Sequence, residues 1–247
     1  MVTREDLIRA GAVAIVRMPD EALGQQVADR IVAAGLTTIE ITLTNPGALN
    51  IIEKLAKQSG VQVGVGTVVE SADVVRAKNA GATFIVSPNT DEEVIGETKR
   101  QGLLSLPGVA TPSEVAAAKK YGADILKLFP ASTFGPGHLK ALRDPFPGNF
   151  WCPTGGLSAE SVGDWFAAGA NIVGVVVNGV GAQSGYGSQY TYGAYRAGYS
   201  YNGYGYGYGY GYGTYYDEKN AASVRPGTHQ ALPRIEEPKN DDQPVEL

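Results

Sequence analysis

Between residues 12 and about 177 the chain alternates two hydrophobic patterns. Short β-branched or continuously apolar runs recur at Ala12–Val16, Thr37–Leu43, Val61–Val65, Thr83–Val86, Leu103–Leu106, Asp124–Leu128, Phe150–Cys152 and Asn171–Val177, and they read as eight strands. Between them apolar residues fall at helical spacing. The pattern predicts helices from the Asp20 cap to Ala34, then over Pro46–Ser59, Ser71–Ala80, Asp91–Arg100, Pro112–Tyr121, Gly137–Leu142 and Ser158–Ala168. Several of these stretches stop at a glycine behind an alanine, as in Ala34-Gly35, Ala80-Gly81 and Ala168-Gly169.

Near-continuous apolar strands separated by helices fit a parallel sheet covered by helices. Eight such units favour an α/β fold of the closed (β/α)₈ TIM-barrel type over an open, doubly wound sheet. The rival Rossmann or flavodoxin-like arrangement is weakened because no Gly-x-Gly-x-x-Gly follows the first strand. Some 170 residues make a small barrel, so its loops are short.

Composition narrows the chemistry. Lys+Arg number 20 against 25 Asp+Glu, a net charge of −5, which gives no electrostatic reason to expect nucleic acid or an anionic membrane surface. The single cysteine, Cys152, excludes an internal disulfide and points to a reducing, cytoplasmic setting. With only His138 and His229 beside it, a Cys/His zinc site is disfavoured and no metal is expected. The charged start, Met1 to Arg9, does not read as a secretory signal, and no apolar run approaches a membrane span.

Reactive groups of a barrel belong at the C-terminal ends of its strands. The polar residues there are Arg17 after the first run, Glu40 and Thr42 in the second, and Thr67 after the third. Ser87, Thr111, Lys127 and Thr154-Gly155-Gly156 follow around the ring. Lys127 sits inside Ile125-Leu126-Lys127-Leu128-Phe129. Desolvation favours a neutral amine, the form that attacks a carbonyl to make a Schiff base; a snorkelling or ion-paired structural lysine is the alternative. Glu40 alternates with Ile39 and Ile41, on the side of Thr38 and Thr42. It reads either as a proton carrier near the lysine or as half of a structural Lys–Glu pair. Gly155-Gly156 before Ser158 reads as a phosphate cradle at a helix start or as an ordinary turn.

Seven segments in order carry more than spacing does. They are Ala14-Ile15-Val16-Arg17, Ile39-Glu40-Ile41-Thr42-Leu43-Thr44, Gly64-Val65-Gly66-Thr67-Val68, Phe84-Ile85-Val86-Ser87-Pro88, Leu106-Pro107-Gly108-Val109-Ala110-Thr111-Pro112, Leu126-Lys127-Leu128-Phe129-Pro130-Ala131 and Pro153-Thr154-Gly155-Gly156-Leu157. Together, over residues 5–175, they resemble the 2-keto-3-deoxy-6-phosphogluconate / 4-hydroxy-2-oxoglutarate aldolase family. The resemblance implies a class I lyase of the Entner-Doudoroff type that needs no cofactor, commonly a homotrimer. It cleaves a 2-keto-3-deoxy sugar acid, 2-keto-3-deoxy-6-phosphogluconate, to pyruvate and glyceraldehyde 3-phosphate. It makes Lys127 the Schiff-base lysine and Glu40 the acid/base. Arg17, Thr67, Pro88, Thr154, Gly155 and Gly156 become substrate-binding positions. Two departures stand out. Thr44 stands where many relatives carry an arginine that contacts the substrate carboxylate, so carboxylate binding would fall to Arg17, Thr67 and backbone N–H groups. The eighth strand also lacks the relatives' Gly-Ser pair and the closing helix behind it.

The remainder reads differently. Of 14 tyrosines, 13 lie between Tyr186 and Tyr216, alternating with glycine, so this stretch has no aliphatic core to fold around. The expected division is a barrel over 1–178, a Gly/Tyr-rich low-complexity segment over 179–216, and a disordered acidic tail over 217–247. The segment resembles the tyrosine-rich C-terminus of bacterial exopolysaccharide tyrosine kinases, without any of their nucleotide-binding motifs. The junction therefore reads as a hybrid. The alternative function is an interaction protein with an impaired barrel and a phosphorylatable tail.

Overall fold

The computed structural model describes residues 2–178. The expected segments 179–216 and 217–247, the tyrosine cluster and the position of any closing helix lie outside the described residues. Within them the strands are β1 (Ala12–Arg17), β2 (Thr38–Thr42), β3 (Gln62–Gly66), β4 (Phe84–Val86), β5 (Leu104–Leu106), β6 (Gly108–Val109), β7 (Lys127–Leu128) and β8 (Val173–Asn178). The helices are α1 (Arg4–Ala10), α2 (Glu21–Ala33), α3 (Ala48–Ala56), α4 (Ser71–Asn79), α5 (Glu92–Arg100), α6 (Pro112–Tyr121), α7 (Ala131–Arg143) and α8 (Val162–Ala167).

Six strands form one parallel sheet in the order β5-β4-β3-β2-β1-β8, and β6 pairs with β7. The ring closes through residues 151–154. Trp151 bridges Leu126 on one side, and Thr154 bridges Gly174 of β8 on the other, both in parallel. Pro107 has no N–H to give to a ladder and separates β5 from β6, which together fill the fifth position of the ring. The expected eight-position barrel is therefore present, with its seventh position held by isolated bridges instead of a full strand over Phe150–Cys152. The sixth strand is likewise shorter than Asp124–Leu128. Asp124 and Ile125 both donate to the Ser105 carbonyl, so this part of the chain leaves the regular ladder.

Alternation along the strands sorts the core into three parts. Outward Ile39, Ile41, Val63 and Val65 pack with Ile51, Ile52 and Leu55 of α3 and Val74 of α4. Outward Leu126, Leu128, Trp151 and Val173 pack under Leu139, Leu142 and Trp165 of α7 and α8. Inward Val13, Ile15, Phe84, Val86, Leu106, Ile125, Cys152 and Ile172 fill the barrel itself.

The inner cluster continues into α1, an element that the charged start of the chain does not announce. Thr3 and Asp6 cap each other's backbone: the Thr3 N–H donates to the Asp6 carboxylate at 2.9 Å, and the Asp6 N–H to the Thr3 hydroxyl at 3.2 Å. Gly11 ends the helix in the left-handed conformation. Leu7, fully buried, packs into the inner cluster, with Val2 and Phe150 beside it. Burying such a side chain is worth about 1.5–3 kcal/mol. The helix thus plugs the N-terminal end of the barrel.

Other boundaries shift for local reasons. Helix α3 starts at Ala48, not Pro46, because Gly47 stands in the left-handed region at φ 66°. Helix α7 starts at Ala131, not Gly137, and carries a break at Gly135. Helix α8 has six residues from Val162, since Ser158–Ser161 form a turn first. Among the described residues no helix is long and apolar enough to cross a membrane.

Candidate active site

At the C-terminal end of the ring the inward positions turn from apolar to polar. Arg17 ends β1, Glu40 is the middle residue of β2, Lys127 opens β7, and Thr154 stands on the seventh position. Glu40 is 3% and Lys127 7% exposed. Burial at that level raises the Glu40 carboxyl above its ordinary value; the positive charges of Lys127 and, less strongly, Arg17 draw it back down. Room for the carboxylate comes from Gly66 of β3, because any side chain there would overlap the Glu40 carboxylate.

The two charged groups are not a structural pair. Among the described residues the ion pairs run between other partners, such as Lys99–Asp124, and no contact within 4.0 Å joins Lys127 to Glu40. Lys127 Nζ instead lies 4.8 Å from the centre of the Phe129 ring. The buried lysine and the buried glutamate thus feel each other's charge without forming an ion pair.

Cys152 completes the interior. It is buried and lies two residues before Thr154 on the inward side. Its Sγ is 3.6 Å from the Thr154 hydroxyl. Burial pushes the thiol up to about 11, so it stays protonated and is not a nucleophile near neutrality. Among the described residues no three His, Cys, Asp or Glu side chains gather to hold a metal ion.

Around the rim the expected residues divide. Thr67 follows β3 with φ 60°, a strained backbone for a β-branched residue. Strain of this type amounts to roughly 1–3 kcal/mol. The Pro88 carbonyl fills the space that a side chain on Gly108 would occupy, which ties the fourth position to the fifth. Thr111 is not free for a ligand. Its hydroxyl and N–H both donate to the Glu114 carboxylate as the cap of α6. Thr42 and Thr44 hydroxyls lie 2.9 Å apart.

Gly155 and Gly156 both have positive φ, at 94° and 72°. The Phe129 ring packs against the first and Ser132 against the second. The Ala131 N–H donates to the Thr154 carbonyl at 2.8 Å and the Ser132 N–H to that of Gly155 at 3.0 Å. The expected helix start at Ser158 is corrected: the Ser158 N–H donates to the Ser161 hydroxyl, and the Ser161 N–H to that of Ser158. The glycine turn is therefore present at the rim; its carbonyls already take the first N–H groups of α7, and the helix that follows it in the chain, α8, begins only at Val162.

A closed (β/α)₈ barrel with an unpaired buried lysine and glutamate at its mouth is the arrangement of a lysine-dependent carbon–carbon lyase. The family model described as KDPG and KHG aldolase matches residues 4–185, and the chain belongs to that family. It is 37% identical over 155 residues to the 2-dehydro-3-deoxy-phosphogluconate aldolase of Pseudomonas aeruginosa, covering 62% of this chain and 70% of that one. It is 38% identical over 168 residues to the probable 2-dehydro-3-deoxy-6-phosphogalactonate aldolase of Rhizobium meliloti, covering 66% and 78%. The fold superposes, with a TM-score of 0.65 and 27% identity over 70% of this chain and 86% of the other, on KDPG aldolase from Legionella pneumophila with pyruvate captured at low pH as a covalent carbinolamine intermediate.

Proposed function

We propose that the chain is a class I aldolase that cleaves a 2-keto-3-deoxy sugar acid, 2-keto-3-deoxy-6-phosphogluconate in the first instance, to pyruvate and an aldehyde. The observation that carries the reading is the pairing of a buried lysine with a buried glutamate that do not neutralise each other by contact. In this reading the Lys127 amine attacks the C2 carbonyl, and loss of water gives an iminium. Glu40, as carboxylate, takes the proton of the C4 hydroxyl. The C3–C4 bond then breaks, its electrons pass into the iminium to give an enamine, and the aldehyde departs. Glu40 returns its proton to C3, and water hydrolyses the new iminium to release pyruvate and the free amine.

The other assignments belong to the same proposal. Arg17 and Thr67 receive the substrate carboxylate, Pro88 shapes the wall, and Thr154 with Gly155 and Gly156 receives the far end of the substrate. The protein works as a homotrimer in the cytoplasm; family membership supports this, and light scattering on the full chain checks the assembly. The central test is borohydride reduction in the presence of pyruvate, followed by peptide mass analysis. A stable adduct on Lys127 is expected. An unmodified Lys127, in a folded chain, would sink the Schiff-base assignment.

A further inference from the structure

The end of β1 is held by a side chain that neither the fold nor the proposed chemistry has so far used. The ladder between β1 and β2 stops at Val16↔Ile41, one residue short of Arg17. Beyond that point Asn45, 3% exposed in the loop after β2, takes over. Its Nδ2 donates to the Val16 carbonyl at 2.9 Å, and its Oδ1 accepts from the Met18 N–H at 2.5 Å. These are the two backbone groups that flank Arg17. In a parallel ladder one residue's N–H and C=O meet the C=O and N–H on either side of a single partner residue. The Asn45 amide reproduces that pattern with its side chain and so adds one further rung, with Arg17 as its partner.

Arg17 has reason to need a fixed backbone. Its Nε is buried and has no partner among the described residues, and its charge acts on Glu40. The loop that supplies Asn45 is tied down in turn: the Asn45 N–H donates to the Thr42 carbonyl at 2.9 Å, and the Ala48 N–H to the Asn45 carbonyl at 3.2 Å. Only a primary amide carries a donor and an acceptor at the right separation. A carboxylate of the same size keeps the acceptor and loses the donor.

We infer that Asn45 is a positioning residue of the active site, holding the backbone on both sides of Arg17 so that the guanidinium stays aimed into the barrel mouth. The inference rests on the aldolase reading for its kinetic readout. It also makes sense of Thr44, since the loop after β2 then contributes to anion binding by holding an arginine on β1 instead of carrying one.

The test is a double-mutant cycle on the full chain with Asn45→Ala, Arg17→Ala and both together, and with Asn45→Asp as a milder variant should alanine impair folding. Asn45→Ala raises KM by about tenfold while kcat changes little. In the Arg17→Ala background the same change alters KM by less than about twofold, because its effect passes through Arg17. The acidic limb of kcat/KM also moves to higher pH. Glu40 is faced by Lys127 from β7, Arg17 from β1 and the Cys152 thiol from the seventh position, and a loosened Arg17 removes part of the positive field. Asn45→Asp gives an intermediate KM. Equal effects of Asn45→Ala in both backgrounds, with the limb unmoved, would overturn the inference and leave Asn45 a loop pin only. Hydrogen exchange at Arg17 Nε gives a readout independent of turnover: it is slow in the parent and fast in Asn45→Ala, and equal rates count against the inference. A missing pyruvate adduct on Lys127 would remove the aldolase reading alone and leave the exchange comparison intact.

Discussion

The two halves of the barrel interior are built by the same alternation and do opposite things. In the lower half Val13, Phe84, Ile125 and Ile172 meet Leu7 of α1 and fill the space with hydrocarbon. In the upper half the next inward positions are Arg17, Glu40, Gly66, Lys127 and Thr154. Glu40, Lys127 and Thr154 are almost as buried as the residues below them. Depth alone therefore does not separate stability from chemistry. The lower half satisfies its burial by contact. The upper half buries a carboxyl and an amine that form no ion pair: burial raises the Glu40 carboxyl, and the Lys127 and Arg17 charges only draw it part of the way back.

That contrast can be broken at measurable points, and Glu40→Gln has the largest expected effect. It lowers kcat by roughly 10²–10⁴-fold with the fold retained. In the parent, the acidic limb of kcat/KM lies above 4.5, the ordinary carboxyl value, because burial raises this group. The same shift has a sign for stability. A carboxyl raised in the folded state stabilises while protonated, so the parent loses that increment as pH climbs from 4.5 through the raised value, and Glu40→Gln does not. Parallel pH profiles of melting for the two proteins would remove the claim that the upper half is under desolvation stress.

Leu7→Ala probes the lower half. It opens a cavity under the barrel and destabilises by about 2–5 kcal/mol in denaturant titration. The kcat/KM at a temperature where the variant is folded stays near the parent value, since Leu7 packs within the apolar inner cluster. A large loss of activity in the folded variant would show that plug and mouth are coupled.

The smallest effect is expected at the rim. Thr67→Gly relaxes a left-handed backbone but loosens the unfolded chain, so stability changes by only about 1 kcal/mol or less. KM rises because the strained conformation no longer presents the hydroxyl and N–H in one orientation. An unchanged KM would mean that the strain at Thr67 has no bearing on binding.

Much of this was legible in the order of residues. The eight apolar runs, the inward placement of Glu40 opposite Ile39 and Ile41, and Lys127 inside an apolar run all follow from a period of two and the cost of burying a charge. Helix α1 is not legible, because the charged start carries no apolar periodicity and a Thr3-x-x-Asp6 spacing alone does not distinguish a helix cap from a turn. Cys152 and Asn45 were not legible. The first is one cysteine among hydrophobic neighbours, and the second an ordinary turn residue before Pro46. Asn45 gains its contacts only when the end of β1 is brought beside it, and the inward burial of Cys152 appears only once the ring closes around it.

The sequence by itself determined the alternation, and with it the class of fold, because periodicity is a local property of a chain; its seven ordered motifs carried the family resemblance and made Lys127 and Glu40 the candidates for chemistry. Tertiary structure alone decided the rest. It closed the ring through isolated bridges at Trp151 and Thr154, and it set Lys127 and Glu40 near enough to share a field without an ion pair. It also laid the Asn45 amide across both sides of Arg17. The reason is physical. Distances between residues 20 to 90 positions apart are set by the register and closure of the whole barrel, which no short stretch of sequence encodes.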